Sequence, residues 1–238
     1  MNVAYNMDCL EAMKSMPDKC FDLAVVDPPY GIGCMTMNYT KSGAVRIRTH
    51  GNAAAKRRDY RKQGNWDIKP PVEYFTELFR VSKKQIVFGG NYFSDILPPS
   101  KSFIVWDKMV SDNMTNDFAD CEYAWMSEGM GVARMFRYCW NGMIQGNMKD
   151  KEDRFHPTQK PIALYEWIFN RYAKNGDRIL DTHLGSGSYR IAAYNAGLDF
   201  VGYEIDKEYF DKQEERFAEH TAQMRFTDLI CHKRTEDK

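Results

Sequence analysis

Apolar and polar positions along this chain follow two different periods, and the switches between them mark out elements. The stretch DLAVVDPPY (Asp22 to Tyr30) opens with an apolar run almost without a break, as a strand buried on both faces does. NVAYNMD, KQIVFGGN, KSFIVWDK, DCEYAWMS, VARMFRYCW, DRILD and DFVGYEID read as further strands, apolar or alternating. Between them, CLEAMKSM, PVEYFTELFRVS, YFSDILP, PIALYEWIFNRYA, YRIAAYNAG and KEYFDKQEERFAEH have helical spacing. Prolines stand near the starts of the second and fourth of these helices, and Gly197 closes the fifth. Strands that alternate with helices predict βαβ units and a mostly parallel sheet with helices on both faces.

Two stretches break the pattern. Residues 35–65 have no period and few large apolar side chains, and they are expected to form a long, mobile basic loop. Residues 141–157 read as a polar connection, and 107–153 as an inserted recognition region within a single domain spanning 1–238.

Composition adds little. The 33 basic and 33 acidic residues cancel, and 43% of positions are hydrophobic, which is ordinary for a globular protein. Six cysteines are scattered without a C-x-x-C pair, and the histidines lack ligand spacing, so no metal site is expected. No apolar run is long enough to span a membrane and no signal peptide is visible, which predicts free thiols and a cytoplasmic location.

The chemistry starts at two strand ends. In open α/β sheets ligands bind beyond the carboxyl ends of strands. DTHLGSGS (Asp181 to Ser188) follows a strand and opens a helix, with Gly185 and Gly187 allowing close backbone approach. Glu204 ends the next strand, where its carboxylate can accept both hydroxyls of a ribose. A P-loop would need Gly-Lys-Ser/Thr, and Gly187 is followed by Ser188, Tyr189 and Arg190. A dinucleotide turn would need a third glycine, which is absent. S-adenosyl-L-methionine, which carries no phosphates, fits what is left.

The other strand end is Asp27-Pro28-Pro29-Tyr30. An exocyclic amine of a base is a poor nucleophile, because its lone pair is delocalised into the ring. An acceptor on each N–H favours a pyramidal nitrogen with that pair free. Asp27 supplies a carboxylate and the Pro28 carbonyl a second acceptor, held by the stiff Pro-Pro turn. Such charge-assisted bonds strengthen as the amine becomes positive. Tyr30 can stack on the ring, and the base has to be turned out of a duplex to be reached.

With these residues the chain resembles the DNA amino-methyltransferases that modify adenine N6 or cytosine N4. The likeness is to the class whose catalytic motif precedes its cofactor motif. DPPY matches the catalytic motif, and HPTQKP (His156 to Pro161) matches a hallmark of that class. DTHLGSGS matches the cofactor turn, and NMDCLEAM the segment near the cofactor adenine. The resemblance implies a Rossmann-like adenosylmethionine-dependent methyltransferase fold with a seven-stranded, mostly parallel sheet. The motif order would be circularly permuted, so that the strand starting at Asn2 follows DFVGYEID in space. It implies that Asp8 and Cys9 border the adenine and Glu204 holds the ribose. Asp181, Leu184, Gly185 and Gly187 would line the methionine side, and Thr158, Gln159 and Lys160 would close the pocket. Asp27, Pro28 and Tyr30 would handle the target base, and an Asp in the first position of DPPY is typical of adenine enzymes. Thr182 and His183 depart from the usual Pro-Phe; His183 is expected to be a neutral wall against the cofactor. A homodimer is also implied as a possibility.

From Lys41 to Lys62 there are eight Lys or Arg and one acid. Arg46, Arg48, Lys56, Arg57, Arg58, Arg61 and Lys62 are therefore expected to contact DNA phosphates. Asn113, Asn116, Arg134, Arg137, Asn141 and Gln145 are candidates to read bases. The function expected is adenine-N6 methylation of DNA. The alternatives are cytosine-N4 methylation, which shares all but the first motif residue, and a catalytically inactive DNA-binding relative.

Overall fold

A computed structural model describes residues 1–33, 67–109, 119–141 and 144–236. Its elements are β1 (Asn2–Asn6), α1 (Cys9–Lys14), β2 (Phe21–Val26), α2 (Val72–Val81), β3 (Ser82–Phe88), a 3-10 turn (Gly90–Phe93), β4 (Phe103–Asp107), β5 (Cys121–Met126), β6 (Arg134–Arg137), β7 (Trp140–Asn141), β8 (Ile144–Gln145), α3 (Ile162–Tyr172), β9 (Arg178–Asp181), α4 (Ser188–Asn195), β10 (Asp199–Glu204) and α5 (Lys207–Glu236).

The main sheet runs β1-β10-β9-β2-β3-β5-β4-β6. From β1 to β3 every pairing is parallel. β5 lies antiparallel between β3 and β4, and β6 joins β4 in parallel. The sheet therefore has eight strands, where seven were expected. All eight lie in stretches whose apolar pattern reads as strand, while the count of seven comes from the family resemblance; β6 is the short edge strand, whose Arg134 pairs with Ile104. β1 and β10, near opposite ends of the sequence, pair from Asn2↔Phe200 to Asn6↔Glu204, which is the neighbour relation expected for β1.

Two apolar layers flank this sheet, and β2 shows why its sequence is apolar throughout. Leu23 and Val25 pack with Ile86, Phe88, Leu164, Ile168, Ala192 and Phe200, beneath α3 and α4. Ala24 and Val26, one step on, pack with Met13, Phe75, Leu78, Val87 and Leu180, beneath α1 and α2. Side chains alternate across a strand, so burial on both faces demands apolar residues at consecutive positions. Within α2 the buried Tyr74, Phe75, Leu78 and Val81 recur on one face at helical spacing.

Residues 107–153 hold β5 and β6, both of them strands of the main sheet. The polar connection after Asn141 also holds β8, which pairs with β7 as a two-stranded ribbon too short to show a period. The basic residues expected to bind phosphates (Arg46, Arg48, Lys56, Arg57, Arg58, Arg61 and Lys62) lie outside the described residues, as do Asn113 and Asn116.

Candidate active site

β9 lies between β10 and β2, and all three point the same way, so their carboxyl ends bring Glu204, Asp181 and Asp27 to one edge. Asp27 follows the last residue of β2 at the start of the Pro-Pro turn, and Pro28 behind it is buried. The Tyr30 hydroxyl donates to Asp27 Oδ1 at 2.7 Å. The Lys160 ammonium donates to Asp27 Oδ2. Burial raises the Asp27 pKa, and the adjacent Lys160 charge opposes that rise.

Tyr30 is packed in place. Its ring stacks on Tyr92 with centroids 4.8 Å apart, and meets Phe93 edge-on at 6.1 Å. It also lies against Gly89, where an added Cβ would come within 2.2 Å of the ring. Gly89 has φ +67°, so both its conformation and its neighbour require glycine. Sequence reasoning did not single out Gly89 or Tyr92; the only signal was the Gly-Gly-Asn-Tyr string at the end of a strand.

The glycine turn closes on the neighbouring strand. Leu184 N–H donates to the Tyr203 carbonyl (2.9 Å), and Gly185 N–H to Glu204 Oε2 (2.8 Å). Gly187, at φ +74°, begins α4. The other Glu204 oxygen accepts from Asp206 N–H at 2.9 Å, so each oxygen has one lone pair left for a ligand. Burial raises the Glu204 pKa. Asp181 accepts from His183 N–H through Oδ1 (3.0 Å), whereas its Oδ2 is buried with no hydrogen-bond partner. Burial pushes its pKa well up, and the charges of Asp27 and Glu204 add to the effect.

His183 is partly buried, and its desolvation lowers its pKa to about 4 and leaves the ring neutral at pH 7. Its Nδ1 lies 2.9 Å from Thr182 Oγ1, and that hydroxyl is 2.6 Å from the Tyr74 hydroxyl. Thr182 and His183 thus join α2 through Tyr74. Asp8 caps α1, accepting from Leu10 N–H (2.7 Å) and Glu11 N–H (3.2 Å). Burial pushes the Cys9 thiol up to about 12, assisted by the charge on Asp8.

The HPTQKP segment separates into distinct roles. Lys160 reaches Asp27. Gln159 instead folds its own loop: its amide donates to the Asp153 carbonyl (2.8 Å) and accepts from Phe155 N–H (3.2 Å). Thr158 is exposed, and its hydroxyl is 3.2 Å from His156 Nδ1. His156 is a site neighbour that the residue-by-residue reading passed over. A Cβ on Gly185 would stand 3.4 Å from its ring, and burial lowers its pKa to about 3. Gln145 is spent as well, since its side chain donates to the Glu152 carbonyl and accepts from Glu152 N–H, both at 2.8 Å. Arg134 and Arg137 are exposed on β6, and Arg137 Nε is 3.2 Å from Asp107 Oδ2.

A cationic, nucleoside-like ligand suits these residues. The turn offers glycines that permit close approach, Asp181 offers an unused buried acceptor, and Glu204 offers spare lone pairs. Among the described residues, no cluster of three His, Cys, Asp or Glu could hold a metal ion, and no helix is long and apolar enough to cross a membrane.

Known proteins resemble this arrangement. The family model described as DNA methylase (N6/N4) matches residues 111–215. The type II methyltransferase M.HpaI of Haemophilus parainfluenzae is 22% identical over 88% of this chain and 72% of its own. M.HinfI of Haemophilus influenzae is 24% identical over 92% and 69%. Among solved structures, the M1.HpyAVI–SAM complex superposes with a TM-score of 0.54 at 20% identity, covering 91% of this chain and all of the other. The cytosine-N4-specific PvuII DNA methyltransferase superposes at 0.56 and 14% identity, over 91% and 86%. The fold is that of the SAM-dependent DNA methyltransferases.

Proposed function

The sequence matches support the DNA amino-methyltransferase family, and on that premise we propose that this chain transfers a methyl group from S-adenosyl-L-methionine to N6 of adenine in DNA, on a base turned out of the helix. One observation carries the reading: the Asp27-Pro28 turn and the Asp181 glycine turn stand at the carboxyl ends of the adjacent parallel strands β2 and β9. A methyl donor held at one turn then faces an amine held at the other.

When bound, S-adenosyl-L-methionine supplies a methyl carbon activated by the sulfonium. Asp181 Oδ2 would take the ammonium of the methionine part, which would end the isolation of that buried oxygen. Glu204 would accept the ribose hydroxyls, and Gly185 and Gly187 leave room for the chain between them. His183, neutral and packed on Tyr74, and Cys9 would form walls near the adenine. Asp27 and the Pro28 carbonyl would accept the two N–H groups of the target amine. As the nitrogen would give its lone pair to the methyl carbon, the carbon–sulfur bond would break with its electrons returning to sulfur as a neutral thioether, and a carboxylate beside the now positive nitrogen gains in value. The surplus proton of the new N–C bond leaves towards Asp27. Tyr92, exposed and stacked on Tyr30, would offer an aromatic face near that carboxylate for an unstacked base.

The test is incubation with tritiated donor and DNA of known sequence, followed by sequencing of modified bases. N6-methyladenine is expected. N4-methylcytosine would replace the adenine assignment and keep the rest. Retained DNA binding with no label would leave a binding protein in place of an enzyme.

A further inference from the structure

A line of four charged groups starts at Asp27, and the proposed chemistry uses only the first. Lys160 Nζ bonds Asp27 Oδ2 and lies 3.2 Å from Glu122 Oε2 on β5. The other Glu122 oxygen accepts from Lys108 Nζ at 3.2 Å, just past the end of β4. Two ammonium groups and two carboxylates balance in a site where Lys160 is only 4% exposed. A buried cation in such a place needs a carboxylate partner at all times, because water cannot take over.

The two contacts of Lys160 are unequal. It makes a hydrogen bond to Asp27, but with Glu122 Oε2 only an ion pair, and that oxygen is buried without any hydrogen-bond partner. A carboxylate oxygen left that way is expensive unless another state of the protein uses it. Both oxygens of Asp27 are meanwhile engaged, by Tyr30 and by Lys160. An amine arriving at Asp27 competes with Lys160, and Glu122 Oε2, already 3.2 Å from the same ammonium, needs only a small shift of Lys160 to accept from it fully.

We propose that Glu122 is a positioning residue: it receives the Lys160 ammonium when a substrate amino group engages Asp27, so that the carboxylate is released without stranding a buried cation. This rests on the reading of Asp27 as the acceptor of the target amine. The groups that face Asp27 are Tyr30 on its own turn, Lys160 before α3 and Glu122 on β5. Asp181 at the end of β9 and the phenols Tyr74, Tyr165 and Tyr189 of α2, α3 and α4 complete the set among the described residues. Burial raises the Asp27 pKa, the positive charge of Lys160 pulls it down, and the negative charge of Glu122 pushes it up.

The experiment compares wild type, Glu122→Gln and Glu122→Asp on DNA that the wild type methylates, using tritiated donor across pH. With Glu122 neutral, Lys160 stays on Asp27. Turnover is then expected to fall at least tenfold with KM for DNA within twofold, and the acid limb of kcat to move to lower pH. Glu122→Asp keeps the charge and is expected to recover part of the rate and the wild-type limb. Wild-type turnover in Glu122→Gln, or a limb that stays fixed or moves up, overturns the proposal. A second arm needs no activity: thermal unfolding of Glu122→Gln, Lys160→Met and the double variant. The second substitution is expected to shift Tm much less than it does alone, since each single change leaves a buried charge with a lost partner. Additive shifts overturn the pairing. If the wild type labels no DNA, the methyltransferase reading fails while the unfolding cycle still judges the pair.

Discussion

Asp181 holds a carboxylate oxygen in the protein interior with nothing to accept, and the consequence can be measured without any ligand. Its folded-state pKa is raised well above 3.8, chiefly by burial. Between the unfolded and folded values the native state holds a proton that the unfolded chain has released, so stability falls as pH rises through that window. Asp181→Asn removes the charge and keeps the Oδ1 acceptor for His183 N–H. At neutral pH the ligand-free variant is expected to melt above the wild type, by roughly 2–4 °C for each kcal/mol relieved. That difference should vanish below the ordinary carboxylate range, where both proteins are uncharged at this position. The same variant is expected to bind S-adenosyl-L-methionine at least about tenfold more weakly in calorimetry, because the ammonium loses a charge-assisted partner. Asp27→Ala should show the opposite division of effects: cofactor affinity within about twofold, and methyl transfer reduced at least about 10²-fold, the scale seen when one preorganised polar contact is removed. Wild-type turnover should fall as pH drops through the raised Asp27 pKa, an acid limb above the value of a free aspartate.

At the scale of elements, the seat of Tyr30 is made by the strand next to its own. β2 presents Asp27 and the Pro-Pro turn, while the end of β3 presents Gly89 as the floor beneath the ring. Gly89→Ala puts a methyl group into Tyr30 at a backbone angle that L residues rarely adopt, costing about 1–3 kcal/mol. A lower Tm and loss of transfer are expected together, and Tyr30→Phe, which keeps the ring but takes the 2.7 Å bond from Asp27, is expected to lower the Tm as well, by the roughly 1–3 kcal/mol of a buried acceptor left without its donor. Nearly all the strands and helices that build this edge were legible in the sequence. Burial on both faces writes an apolar run into β2, and a helical stripe into α2. Asp27, Asp181 and Glu204 were legible for a related reason, since a charge at the end of a buried strand stands out. What could not be read were contacts made by distant pieces of chain. Glu122 looks like any alternating polar position in CEYAWM until β5 inserts between β3 and β4. Gln159 and Gln145 look like free amides until their loops fold around them. The β7–β8 ribbon has two residues in each strand, fewer than a period needs in order to show.

For the molecule as a whole, zero net charge hides a strong local imbalance. The eight basic residues between Lys41 and Lys62 are nearly a quarter of all 33, and a single acid accompanies them. The rest of the chain is therefore net acidic, and this stretch is the densest source of long-range attraction to DNA in the sequence. Each phosphate neutralised by a bound protein releases counterions, giving a slope of about −0.9 in log affinity against log salt. Neutralising Arg57, Arg58 and Arg61 together is thus expected to flatten that slope by up to about 3, and to weaken binding similarly on all sequences. Sequence preference should survive, because contacts to phosphates carry orientation and not base identity. Fluorescence anisotropy on a labelled duplex from 50 to 200 mM salt, wild type against the triple variant, measures it. An unchanged slope would move the phosphate contacts elsewhere, and exposed Arg134 and Arg137 on β6 would be the next to neutralise.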